Sequence, residues 1–139
     1  MHMNFQSYPI EDVIESEILR HHAAIAAWIS GTLPEESFDA TFADALHRNF
    51  EWVRPTGEEQ SRDEILTWVR GRRGIHPGAR LLLEDFQLIA HEGNIAVVKY
   101  TEMGLYPPAD MPKNNRRATA VFMLEPRVRW LHLFETFRP

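Results

Sequence analysis

The C-terminal third of the chain constrains its fold most. Residues 94–106 (NIAVVKYTEMGLY), 115–124 (NRRATAVFML) and 128–137 (VRWLHLFETF) are rich in β-branched and aromatic side chains. Turn-forming residues separate them: Glu92-Gly93-Asn94, Pro107-Pro108 and Glu125-Pro126. Segments of this composition at this spacing predict an antiparallel meander. Helical patterns precede it, so the chain is expected to form one curved sheet wrapped around a helical layer.

Upstream, Ile14, Ile18, Ile25 and Ile29 recur at helical spacing and predict a first helix over 10–30 with one apolar stripe. Glu11, Asp12, Glu15 and Glu17 near its start suit the helix dipole, and Gly31 stops it. Ile18, Ile25, Trp28 and Ile29 are expected to be buried against the sheet. A short second helix is predicted over 34–43 and a first strand over 45–54. A third helix opens at Ser61, where Glu64 three residues on completes a capping-box pattern. A strand over 80–90 then begins a run of four. The order α-α-β-α-β-β-β-β predicts an α+β domain.

The chain has 139 residues, a length that supports one core. No repeat or linker divides it, so one domain over 1–139 is expected, with 1–7 as a flexible lead. The formal net charge of −5 argues against nucleic acid or an anionic membrane as partner. The absence of cysteine removes disulfides, thiolate metal sites and cysteine nucleophiles, and suits a reducing, cytoplasmic compartment. The longest apolar run, 23–29, is far short of the roughly 20 residues of a membrane span. The N-terminus lacks the basic-then-apolar plan of a secretory signal. No His-Glu-x-x-His or clustered carboxylates are present, so neither metal nor cofactor is expected. Arg70-Gly71-Arg72-Arg73-Gly74 ends a helix instead of opening one, so it is no phosphate loop. It is either a basic patch for an anion or a solvated helix end.

Three strings in order carry a likeness. They are Phe42-Ala43-Asp44 followed by Val53-Arg54-Pro55-x-Gly57, then Ala96-Val97-Val98-Lys99-Tyr100, then Trp130-Leu131-His132-Leu133-Phe134-Glu135-Thr136. Together they resemble the nuclear transport factor 2-like superfamily, in particular its SnoaL-like and ketosteroid-isomerase-like small proteins. The resemblance covers nearly the whole chain. It implies a cone-shaped half-barrel, with the sheet curled round the first helix to leave an apolar pocket. It also implies a homodimer through the outer sheet face, where Lys99 and Thr101 lie. In the isomerases the residue before this proline is the carboxylate that abstracts the substrate proton. Here it is Arg54, which stays protonated and cannot act as a base. The isomerase mechanism therefore does not carry over, although an arginine there can clamp a carboxylate or stabilise an oxyanion.

Strand alternation puts Phe50, Trp52 and Arg54 on one face, which the resemblance turns toward the pocket. The ligand-binding candidates are these three with Phe134 and Trp28. The plain alternative makes the aromatics core and pairs Arg54 with a surface carboxylate. Tyr100 and Glu102 share a face of their strand. A carboxylate among apolar neighbours can serve as acid or base, or it can simply pair with Arg116 or Arg117 across the sheet. His132, between Trp130 and Phe134, is either an acid–base group or a buried structural histidine. Glu102, Tyr100 and His132 are the catalytic candidates. Glu135 alternates to the face opposite His132 unless a bulge intervenes. His21 and His22 lie on or beside the first helix's stripe: either one of them points into the cavity mouth, or one is exposed and the other flanks the stripe. Being adjacent, they do not both face one site as a metal pair would. Two functions stay open. One is a pocket for a small, partly apolar molecule with a carbonyl or carboxylate, with acid–base chemistry. The other is a non-catalytic association module.

Overall fold

The computed structural model describes residues 9–109 and 111–139. The expectation for residues 1–7 lies outside the described residues. The first helix, α1, is Ile10–Ser30. It ends where Gly31 adopts φ 84° and its N–H meets the carbonyls of Ala27 and Trp28. A Cβ at Gly31 would lie 3.2 Å from the α-carbon of Gly74. A side chain there is strained in conformation and also lacks room.

The predicted second helix is only partly α-helical. Only α2, Phe38–Thr41, is α-helical, between 3₁₀ turns at Glu35–Ser37 and Ala43–Ala45. Helix α3, Arg62–Arg70, starts as its sequence predicts. The Ser61 hydroxyl accepts the Glu64 N–H at 3.3 Å, and Glu64 accepts the Ser61 N–H at 2.8 Å.

The strands are β1 (Leu46–Val53), β2 (Glu59–Ser61), β3 (Arg80–Glu92), β4 (Ile95–Leu105), β5 (Lys113–Met123) and β6 (Arg129–Phe137). They form one curved, unclosed sheet in the order β2-β1-β6-β5-β4-β3. Strand β2 escaped the sequence reading because three residues carry too little pattern. The meander β3–β6 is antiparallel, but β1 runs parallel to β6. The expectation of a purely antiparallel sheet is corrected at that pair. Parallel neighbours need a long connection, and here most of the chain lies between them.

Helix α1 packs across the concave face, burying Ile14, Ile18, His22 and Trp28. Ile25 and Ile29, expected to be buried, are only half-buried because they border an empty space. The main core joins Ile14 and Ile18 to Leu46, Phe50, Val98, Tyr100, Phe122 and Trp130. Trp28 belongs to a separate cluster with Phe38 and Phe42, and its indole N–H donates to the Val69 carbonyl at 2.7 Å. This tie fixes α3 to α1, and together with β1 they leave a gap over the sheet.

Candidate functional site

The gap is a cavity of about 160 Å³ between α1, α3 and the concave sheet. Its apolar wall includes Ile25, Phe42, Phe50, Trp52, Trp68 and Leu133. Into it project His21 and His22 from α1, Glu102 from β4, Arg116 from β5 and Glu135 from β6. The volume suits a molecule with a body of about one aromatic ring.

His22 is the centre of one polar pair. Its Nδ1 lies 2.8 Å from the Ile18 carbonyl, which can only accept, so Nδ1 carries a proton. Its Nε2 lies 2.8 Å from Oε1 of Glu102, and that contact needs a second proton. Burial opposes a charge on His22. The Glu102 carboxylate and the hydrogen bonds outweigh it and raise the histidine above its ordinary value. Burial likewise pushes Glu102 up, but His22 and then Arg116 hold it below the usual carboxylate range. Both directions favour an imidazolium–carboxylate pair.

Glu135 is the centre of the other. It is 2% exposed. Its Oε1 accepts from the Trp52 indole N–H at 2.9 Å and from Arg116 at 3.0 Å. Burial raises its pKa, the Glu102 charge raises it further, and Arg116 and Trp52 offset this only in part. Two carboxylates thus face one cavity with their proton affinities displaced in opposite directions.

Two further groups stand beside them. The Tyr100 hydroxyl is buried with no partner among the described residues. Burial, and then the charges of Glu102 and Glu135, keep it protonated. The Tyr100 ring meets His22 edge-on at 5.6 Å. His21 stacks against Trp130 at 4.8 Å, and its buried Nδ1 also has no partner among the described residues. Burial, and then the charges of His22 and Arg20, hold His21 well below its ordinary value, so it is neutral.

Of the sequence candidates, Phe50, Trp52 and Glu102 line the cavity, and Tyr100 lies against His22 behind it. The placement of His132 and Phe134 is corrected. Phe122 pairs with Trp130 but Val121 pairs with His132, so Leu131 is an extra residue in β6. This bulge reverses the alternation. Trp130, Leu133 and Glu135 face inward, while His132 and Phe134 face outward. His132 lies 3.8 Å from Glu51, and Phe134 is 42% exposed. Trp28 is corrected too, because it fills the α1–α2 cluster and not the cavity wall. Arg54 lies over the indoles of Trp52 and Trp68, at 4.8 and 5.0 Å, and not in the cavity itself. Glu102 pairs with His22, while its cross-strand neighbour Arg116 turns to Glu135. His21 and His22 both line the cavity, against the expectation for adjacent residues.

The sequence reading considered His22, Arg116 and Glu135 but placed none of them among the site residues. For His22 a signal was present: it stands four residues after Ile18 and three before Ile25, in a slot of the apolar stripe. A polar residue in such a slot needs a buried partner. Among the described residues no group of three His, Asp or Glu side chains gathers as a metal site, and no helix is long and apolar enough to cross a membrane.

No protein-family model matches the chain, and no curated protein matches it in sequence. Solved structures do. An NTF2-like protein of unknown function from Pseudomonas aeruginosa superposes with a TM-score of 0.83 at 27% identity, over 91% of this chain and 99% of that one. A domain of unknown function with a cystatin-like fold from Nostoc punctiforme gives 0.73 at 14% identity, over 96% and 80%. A domain from Thiobacillus denitrificans, provisionally named a calcium/calmodulin-dependent protein kinase type II association domain, gives 0.69 at 16% identity, over 90% and 94%. With its curved, unclosed sheet around a long first helix and this likeness, the chain belongs to the nuclear transport factor 2-like superfamily.

Proposed function

We propose that the protein binds a small, partly apolar molecule in the cone and transfers a proton at a carbonyl or hydroxyl of that molecule, in the manner of a SnoaL-like pocket protein. One observation carries this reading. The two carboxylates of a mostly apolar cavity have proton affinities displaced in opposite directions, Glu135 upward and Glu102 downward. Such divergence separates an acid from a fixed charge. Glu135 is the group that gives and takes the proton. Glu102, held ionised by His22, supplies the permanent charge, and Arg116 and Trp52 fix the orientation of Glu135.

Cyclohexanone tests this in D₂O. The protein is expected to accelerate deuterium exchange next to the carbonyl, and the ketone is expected to shift the indole N–H resonances of Trp52 and Trp130. Leu133→Trp, which fills the cavity, is expected to abolish both effects, and Glu135→Gln to abolish the exchange while leaving the shifts. Equal exchange in the Glu135→Gln variant would remove this residue from the chemistry. An absence of shifts in the parent protein would count against the pocket.

The outer face supports a homodimer as a second proposal. Phe134 is 42% exposed in mid-sheet, and its outward neighbours include the half-buried Val53. An exposed aromatic on a sheet face favours a partner. Sedimentation at micromolar concentration is expected to give a dimer that Phe134→Glu converts to the 16.2 kDa monomer. A parent protein that already sediments as monomer would refute it.

A further inference from the structure

The basic run after α3 is only partly used by the fold. Arg70 pairs with Asp39 at 3.2 Å and lies over Phe38 at 4.1 Å. Arg73 donates to the carbonyls of Leu33 at 2.9 Å and Gly31 at 3.3 Å. The guanidinium of Arg72 makes no hydrogen bond or ion pair among the described residues. It lies 4.4 Å from the centre of the Trp68 ring. Arg54, arriving from the end of β1, lies over the same ring at 5.0 Å and over Trp52 at 4.8 Å. Its single carboxylate contact among the described residues is Glu58, loose at 3.9 Å and 64% exposed. Two guanidiniums from different elements therefore share one indole, and neither is neutralised by a close carboxylate.

That indole is part of the cavity wall and is only half-buried, so it spans from the cavity to the surface. The cavity has a charge polarity as a result. At its inner end, the two carboxylates of Glu102 and Glu135 are balanced by His22 and Arg116. At the Trp68 side stand two cations with no close carboxylate among the described residues, in a protein of net charge −5. An entering carboxylate gains little at the first end, where the charges are already paired, and is held by the second, where a planar guanidinium suits its two oxygens. Stacking on the indole holds each guanidinium in place while its edge N–H groups stay available.

We infer that Arg54 and Arg72, stacked on Trp68, form an anion-binding rim, and that the cavity's ligand is an organic monocarboxylate whose apolar body enters while its carboxylate stays at the two arginines. The inference rests on the pocket reading above and adds the ligand's charge and orientation to it. The plain alternative is that both arginines only shield Trp68 from water.

Titration calorimetry with benzoate and its neutral analogue benzamide separates the two. Benzoate is expected to bind about tenfold more tightly than benzamide at low salt, with the preference shrinking as sodium chloride rises. Each of Arg54→Gln and Arg72→Gln is expected to reduce the preference. The double variant is expected to abolish it, with the affinity for benzoate falling to that for benzamide. Equal binding of the two probes, or a preference that survives in the double variant, overturns the inference and leaves the pocket reading standing. Benzoate that fails to bind where cyclohexanone does has the same meaning. Benzoate that binds Leu133→Trp as well as it binds the parent protein overturns the link between rim and cavity, because the ring would then lie outside.

Discussion

Arg116→Met is expected to cost the fold about 3 kcal/mol at neutral pH, the scale seen when one partner of a buried ion pair is removed. The methionine replaces most of the volume, so the loss is electrostatic. Glu135 keeps only the Trp52 indole N–H at 2.9 Å, and it is 2% exposed. Its pKa is already raised by burial and by Glu102, and the loss of Arg116 pushes it further up. The sign follows from that direction. A carboxyl whose folded pKa lies above its unfolded value of 4.5 destabilises the fold as pH rises through the folded value. The variant's deficit should therefore be smaller in mild acid than at neutral pH. Adding Glu135→Gln should recover more than half of it, since a neutral amide still accepts the Trp52 N–H. Urea denaturation checks this through the midpoint at constant slope. A deficit below about 0.5 kcal/mol would mean that the pair behaves as a solvated surface pair.

The same residue shows where sequence reading stops. Local patterns were legible wherever the determinant is local. The α1 bounds follow from its isoleucine spacing and Gly31, and the start of α3 follows from Ser61 and Glu64. The four-strand run follows from β-branched composition between turns. The inner face of β6 was not legible, because one extra residue at Leu131 inverts every later side chain and leaves no mark in the sequence. That single insertion exchanges His132 for Glu135 in the cavity. The parallel pairing of β1 with β6 is likewise set by tertiary packing. Glu102 and Tyr100 could be placed on their face because β4 keeps its alternation up to Glu102. What they meet there, a histidine eighty positions away in sequence, could not be.

His22→Leu is expected to have a comparable effect with a different dependence on pH. Leucine fills the stripe slot between Ile18 and Ile25, but it leaves Glu102 without its hydrogen-bonded partner at 2.8 Å. At its maximum the loss should again be about 3 kcal/mol. In the parent protein the folded pKa of His22 lies above its unfolded value of 6.5. Its contribution is complete below 6.5 and fades as pH rises through the folded value. Glu102 has a folded pKa below its unfolded 4.5, so its contribution is complete above 4.5 and fades as pH falls through the folded value. Both contributions are whole only between 4.5 and 6.5. In the variant His22 no longer titrates. Burial, the largest influence on Glu102, then goes unopposed by the imidazolium, so protonation in acid relieves the fold. The stability gap between parent and variant should be widest near about pH 5.5 and narrow on both sides. Urea midpoints at about pH 3.5, 5.5 and 8.5 measure it. A gap that stays constant across this range would mean that His22 is neutral throughout and merely hydrogen-bonded. Glu102 would then be a protonated acid, and the division of labour between the two carboxylates would have to be reversed.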